Sequence, residues 1–225
     1  CSYWTVTMEI KPSKTHLFEL LASQLRSLFL LDISNISEEI DQTLLILEKS
    51  FDNFDNKYYR NEAGCLSFSA SHGTQYTMFL YWISRLLSER GKKLEADKVY
   101  QLNKMMSGCD LFHEVKLPLR TYCDHPFGAV IGRGNIGENF YFSHGCTIGN
   151  NKNIFPTSEG FLVMLPGSKL VGRSTLGSHV VLSSGSYVKD ENIPSFSMVF
   201  GSTPHLKIKR ITKKKFSEYS PFLVN

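Results

Sequence analysis

The chain has 225 residues, of which 42% are hydrophobic, enough to bury a sizeable core as one large domain or two small ones. Its formal net charge of +4 owes much to "HLKIKRITKKKF" (205–216), which holds five lysines and one arginine; without them 19 basic residues face 21 acidic ones. This pattern excludes a nucleic-acid module, which needs basic residues spread over a face with aromatics between them, and no eighteen-residue apolar run predicts a membrane-spanning helix.

The chain opens at Cys1 without the basic start and apolar core of a signal peptide, and its five cysteines form no CxxC pair. The expectation is a cytoplasmic protein with reduced thiols. "HLFELLASQLRSLFLLDI" (16–33) is broken by Glu19, Ser23, Gln24 and Arg26 and reads as an amphipathic helix. "EEIDQTLLILEKSFDNF" (38–54) and "GTQYTMFLYWISRLLSERGKKLEADKVYQLNKMM" (73–106) also place apolar residues three and four apart, without proline. The apolar run "MFLYWI" (78–83) is read as helix core. Residues 1–108 are therefore expected to form a helical N-terminal domain.

After Cys109 the helical period gives way to another. Val130, Ile136, Phe142 and Ile148 lie six apart, and Met164, Leu170, Leu176, Leu182 and Val188 do so again. Glycine or serine often follows the aliphatic position, as a sharp corner requires. Such a period predicts short parallel strands stacked into a β-helix of roughly four coils over 126–199. The two phases are out of step, so a loop within "GNNKNIFPTSEG" (149–160) is expected to project, over 150–160. The β-helical domain is assigned to 109–204, and 205–225 to a basic tail read mainly as a solvated arm, with contact to a phosphate-bearing or acidic partner as the functional alternative.

Helices followed by hexapeptide repeats resemble the serine acetyltransferases. "SERGKKLEADK", "GCDLFHEVKLP", "DHPFGAVIG", "HGCTIGN" and "VFGSTPHLKIK" resemble that family's motifs in order, and Asp110 precedes His125 by the fifteen residues that separate the family's catalytic aspartate and histidine. The resemblance implies an α+β protein, a helical domain followed by a left-handed parallel β-helix. It further implies acetyl-CoA as co-substrate and a homotrimer or dimer of trimers, with the donor in a groove between neighbouring β-helices. Gly167, Ser168, Ser183, Ser184 and Gly185 are candidates to face that groove, and Lys207, Lys209 and Arg210 to meet the donor's phosphates.

The chemistry is arguable from the residues themselves. Acyl transfer to a hydroxyl needs a base that removes the proton as oxygen attacks, and the neutral imidazole of His125 suits this. Asp110, with Asp124 as the alternative, would orient it. Backbone N–H groups near Gly149 and Asn150 could stabilise the oxyanion. His144 either lines the cleft opposite His125 or caps a turn. A metal site from His113, His125 and His144 lacks any ligand spacing, so no metal is expected. His16, His72, His179 and His205 are assigned surface or packing roles.

Where the family carries an Arg-His-Pro that holds the serine carboxylate, this chain has Ile154-Phe155-Pro156. An apolar side chain cannot replace a guanidinium, so the sequence favours a saccharide hydroxyl over serine, with Phe155 a candidate to meet the acceptor. Serine O-acetylation, amino-sugar N-acetylation and an inactive scaffold remain the alternatives.

Overall fold

The computed structural model describes residues 7–222, and Cys1 lies outside them. The chain divides between Ser107 and Gly108 into two compact units.

The first unit carries β1 (Glu9–Lys11), α1 (Lys14–Phe29), α2 (Ser37–Phe51), β2 (Ser67–Ser69), α3 (Gly73–Glu89) and α4 (Lys93–Ser107). Ser13 caps α1 by accepting from the His16 N–H at 3.1 Å. Leu17, Leu21 and Leu25, spaced by four, form the buried stripe of α1. α3 and α4 are one apolar pattern in sequence but two helices in space, because Gly91 takes a left-handed φ of 78° and turns the chain. The unit is not wholly helical: β1 and β2 pair in parallel. Three residues are too short a run for alternation to reveal.

One ion cluster in this unit is buried on its acidic side. Glu39, fully buried on α2, accepts from Arg90 Nη1 at 2.8 Å and stands 2.9 Å from Lys92 Nζ. Burial alone would raise its carboxyl pKa, but the hydrogen bonds from Lys92 and Arg90 outweigh burial and hold it below the usual range.

In the second unit, β3 (Asp110–Leu111) leads into four coils. These are β4 (Thr121–Asp124), β5 (Val130–Ile131) and β6 (Asn135–Ile136); β7 (Phe140–Ser143), β8 (Thr147–Gly149) and β9 (Thr157–Ser158); β10 (Leu162–Met164), β11 (Lys169–Val171) and β12 (Thr175–Leu176); and β13 (Val180–Leu182), β14 (Tyr187–Lys189) and β15 (Asn192–Ile193). A fifth coil begins with β16 (Ser197–Phe200), and β17 (Lys207–Arg210) and α5 (Lys213–Ser217) follow. The coils stack into a left-handed parallel β-helix with three sheets. Sheet A runs β4-β7-β10-β13-β16-β17, sheet B runs β3-β5-β8-β11-β14, and sheet C runs β6-β9-β12-β15.

Register explains the core. Cys123, Phe142, Met164, Leu182 and Val199 pile up inside sheet A. Leu111, Ile131, Ile148, Leu170 and Val188 do so inside sheet B, and Ile136, Ser158, Leu176 and Ile193 inside sheet C. All are buried. The six-residue count fails at Val130, which is 45% exposed, whereas its neighbour Ile131 takes the core position. The projecting loop is also shorter than 150–160. Thr157–Ser158 is strand β9, paired with β6 and β12, so only 150–156 leaves the coil. That segment folds back on itself through paired Asn151 and Ile154, with Lys152 and Asn153 both at positive φ.

The basic tail is not a free arm. β17 pairs antiparallel with β16 and occupies the edge of sheet A. α5 then drops Phe216 onto the outer face of that sheet, over Val163, Val181 and Met198. Lysines dominate the segment in sequence, but Ile211, Phe216 and Tyr219 carry the contact.

Two stability outcomes follow from this packing. Phe216→Ala should cost about 3–5 kcal/mol, the usual range for a buried phenylalanine, read as a fall in the unfolding midpoint; an unchanged midpoint contradicts the docked tail. Glu39→Gln should cost about 1–3 kcal/mol at neutral pH. Because the folded pKa is depressed, the wild-type advantage is complete above the ordinary glutamate pKa of about 4.3 and disappears as pH falls through the lower folded value. Paired denaturation curves at pH 7 and at low pH check this.

Candidate active site

The corner between sheets A and B is built on one repeated turn. Gly128, Gly145, Gly167 and Gly185 all have left-handed φ, between 64° and 71°. The Gly145, Gly167 and Gly185 N–H groups donate to the carbonyls of Phe127, His144 and Pro166, at 2.9–3.0 Å. Phe127, His144 and Pro166 are therefore equivalent positions. From Cys123 to Ile131 the chain takes eight residues, whereas Phe142 to Ile148, Met164 to Leu170 and Leu182 to Val188 take six. The first coil's two extra residues are His125 and Pro126.

This bulge puts His125 outside the β-helix. Its side chain is 87% exposed and its φ is 46°, a conformation costly to a residue with a Cβ. The turn is held by Phe127 N–H donating to the His125 carbonyl at 2.8 Å and Ala129 N–H to that of Pro126 at 3.0 Å. His125 Nε2 lies 3.8 Å from Asp124 Oδ1, close for a charge pair and long for a hydrogen bond.

Asp124 is clamped from the next coil. Tyr141 Oη donates to Asp124 Oδ2 at 3.1 Å, and Ser143 Oγ donates to the Asp124 carbonyl at 3.1 Å. Burial, then the Asp124 charge, drives the Tyr141 phenol well above its ordinary pKa, so it stays a donor. Asp110 enters sheet B beside β5, paired with Val130, and its N–H donates to the Ala129 carbonyl at 2.8 Å. His144 follows Ser143, the register partner of Asp124. It therefore lies on the same corner as His125, not opposite it, with Nδ1 3.3 Å from Ser143 Oγ.

The other predicted residues scatter. Gly167, Ser184 and Gly185 lie on the His125 corner, and Ser184 and Gly185 are exposed. Cβ atoms on Gly145 and Gly167 would only touch the glycine one coil along, at 3.6 and 3.8 Å, so the ridge is bare backbone because of φ and not crowding. Such a ridge can take a slender extended chain. Ser168 is fully buried beside Cys146 and Ser183 is 8% exposed, so neither lines a groove, contrary to expectation. Ser168 fills interior space behind the glycines, whereas Ser183 follows inward Leu182 at the position equivalent to Asp124 and Ser143. Gly149, Asn150 and Phe155 belong to the other corner, between sheets B and C, and a single chain does not bring them to His125. Lys207 and Lys209 are exposed on β17, five strand spacings of sheet A from β4, or about 24 Å.

Other chemistries find little support. His113 is buried whereas His125 is exposed, and no group of three potential metal ligands occurs among the described residues. Burial pushes the Cys109 thiol up to about 12 and raises Cys123 and Cys146 as well, which leaves them unreactive packing groups. His179 is stacked between Phe161 and Phe196 at 4.3 and 4.6 Å. A groove of about 580 Å³ on sheet C is lined by Asn135, Thr157, Thr175 and Asn192, with none of the predicted site residues. Tyr141 escaped sequence reasoning, since its meeting with Asp124 depends on which coil stacks on which.

No family model matches the chain. It is 25% identical over 136 residues to a serine acetyltransferase of Staphylococcus aureus (strain Mu50 / ATCC 700699), a match covering 58% of this chain and 63% of that protein. The chain thus spans less than two thirds of the length of the curated relatives it matches. Among solved structures, the serine acetyltransferase of Vibrio cholerae O1 biovar El Tor N16961 superposes with a TM-score of 0.69 at 19% identity, covering 90% of this chain and 81% of that one. A serine acetyltransferase in complex with CoA gives 0.68 at 19% identity, covering 86% and 83%. The chain resembles serine acetyltransferases in sequence, and at these identities the structural likeness establishes the fold.

Proposed function

We propose that the chain is an acetyl-CoA-dependent O-acetyltransferase in which His125 is the general base. The observation that carries this is the two-residue bulge that holds His125 out from a glycine-lined corner with the Asp124 carboxylate beside it. An acceptor hydroxyl gives its proton to the neutral imidazole as its oxygen attacks the thioester carbonyl. Asp124 or Asp110 offsets the imidazolium charge that forms. The imidazolium then returns its proton to the departing thiolate. The bare ridge of Gly145, Gly167 and Gly185 suits the donor's slender arm, in a groove completed by a neighbouring β-helix of a homotrimer.

For the acceptor, the names of the sequence relatives and structural neighbours weigh toward L-serine, above the saccharide favoured by the sequence alone. On this reading Lys152, the cation in the loop at 150–156, is the candidate partner for the serine carboxylate. A saccharide remains the second reading on one observation: Ile154 and Phe155 stand where a bidentate cation would be needed, and Ile154 is 36% exposed.

A thiol-release assay with acetyl-CoA and serine, simple sugars or amino sugars separates the possibilities. Serine should raise CoA release well above hydrolysis. Release with sugars alone would install the second reading, amino sugars alone would indicate N-acetylation, and no release with any would leave a binding scaffold. In the active pairing, His125→Ala should lower the rate by on the order of 10² to 10⁴ with acetyl-CoA affinity nearly unchanged. Wild-type turnover in that variant contradicts the base assignment.

A further inference from the structure

We infer that Tyr141 is a positioning residue for the His125 base, acting through Asp124. This rests on the function proposed above for His125, but the link between the three side chains is read from geometry alone.

His125 has little to hold its ring. It is 87% exposed, on a bulge outside the sheet ladder. The group beside it, Asp124, is by contrast fixed at both ends. Its carbonyl accepts from Ser143 Oγ, and its Oδ2 accepts from Tyr141 Oη, both from the second coil and both at 3.1 Å. Tyr141 is itself constrained, since its ring stacks on Tyr122 at 5.8 Å and 13°. With Oδ2 occupied by the phenol, Oδ1 is the oxygen turned to the imidazole, at 3.8 Å from Nε2. A small rotation of the exposed ring closes that distance to a hydrogen bond, as catalytic contacts commonly tighten when an acceptor binds. The hydroxyl has two effects. It fixes where Oδ1 points, and it takes up part of the Asp124 charge, which moderates how strongly the carboxylate favours imidazolium over imidazole. The titratable groups about this corner are Asp124 on the same strand end, Tyr141 and His144 on the next coil, Tyr122 beneath Tyr141, and Asp110 on β3.

Tyr141→Phe keeps the stack on Tyr122 and removes only the donor, so the fold should be retained. The first readout is NMR titration of the His125 ring in the whole protein, assigned with His125→Ala. Tyr141→Phe should raise the His125 pKa by about half a pH unit, because the carboxylate charge is no longer shared. Asp124→Asn should lower it, and Tyr141→Phe on that background should add nothing further, since the phenol acts only through the carboxylate. The second readout is kinetic. With the active acceptor, Tyr141→Phe should lower kcat on the order of tenfold, shift the acid limb of kcat/KM with the titration, and leave KM for acetyl-CoA unchanged. An unmoved His125 titration in Tyr141→Phe, or an equal shift with and without Asp124, overturns the inference. Failure of the functional reading looks different: no acceptor supports turnover in the wild type, whatever the titration shows.

Discussion

Parallel coils in a β-helix can stack only if each ladder position in one coil meets its counterpart in the next. A coil carrying extra residues must expel them at a corner, because one residue inserted within a strand would turn every following side chain from core to solvent. This chain carries extra residues at two corners. The segment 150–156 leaves between sheets B and C, and His125-Pro126 leaves between sheets A and B. The second expulsion builds the candidate site: it puts an imidazole in solvent, in a left-handed backbone conformation, while leaving Asp124 anchored in the ladder. Rigid strands thus hold the carboxylate, and the short bulge presents the imidazole.

The outer face of sheet A is shared between two tasks. At its β4 end Tyr122 and Tyr141 stack and hold Asp124 through the Tyr141 hydroxyl. Toward the other end Val163, Val181 and Met198 are apolar and are sealed by Phe216 from the tail. Residues at equivalent outward positions therefore serve a polar site in the early coils and a hydrophobic seam in the later ones. The unpaired edge of the sheet is closed by β17, a strand rich in lysine, which disfavours pairing with another chain.

Much of this was legible in the sequence because the hexapeptide period is a direct projection of the stack. Ile136, Phe142, Ile148, Met164, Leu170, Leu176, Leu182 and Val188 are all in the core, as their spacing required. Val130 was misplaced for an informative reason. The first coil takes five residues from Ile131 to Ile136 where the third takes six from Leu170 to Leu176, so a constant period counted back from Ile136 lands one residue early, and the two extra residues at His125-Pro126 are likewise invisible until neighbouring coils are laid side by side. Small residues beside the corner glycines suggest a groove, but Ser168 faces inward, where a small polar side chain fits against Cys146. Charge dominates the tail in sequence, while three apolar residues spaced through it, Ile211, Phe216 and Tyr219, determine its docking. Contacts such as Tyr141 with Asp124 cross seventeen residues of sequence and follow from coil length, which local pattern does not encode.

Acyl transfer at the His125 corner, as proposed, requires the donor's thioester to reach that imidazole. A crystal structure of the protein with CoA tests it most directly. The arm should lie along Gly145, Gly167 and Gly185 with the thiol sulfur about 3–4 Å from the His125 imidazole, the separation a proton shuttle requires. CoA ordered instead in the groove of Asn135, Thr157, Thr175 and Asn192 on sheet C, or with its sulfur turned away from His125, would contradict it.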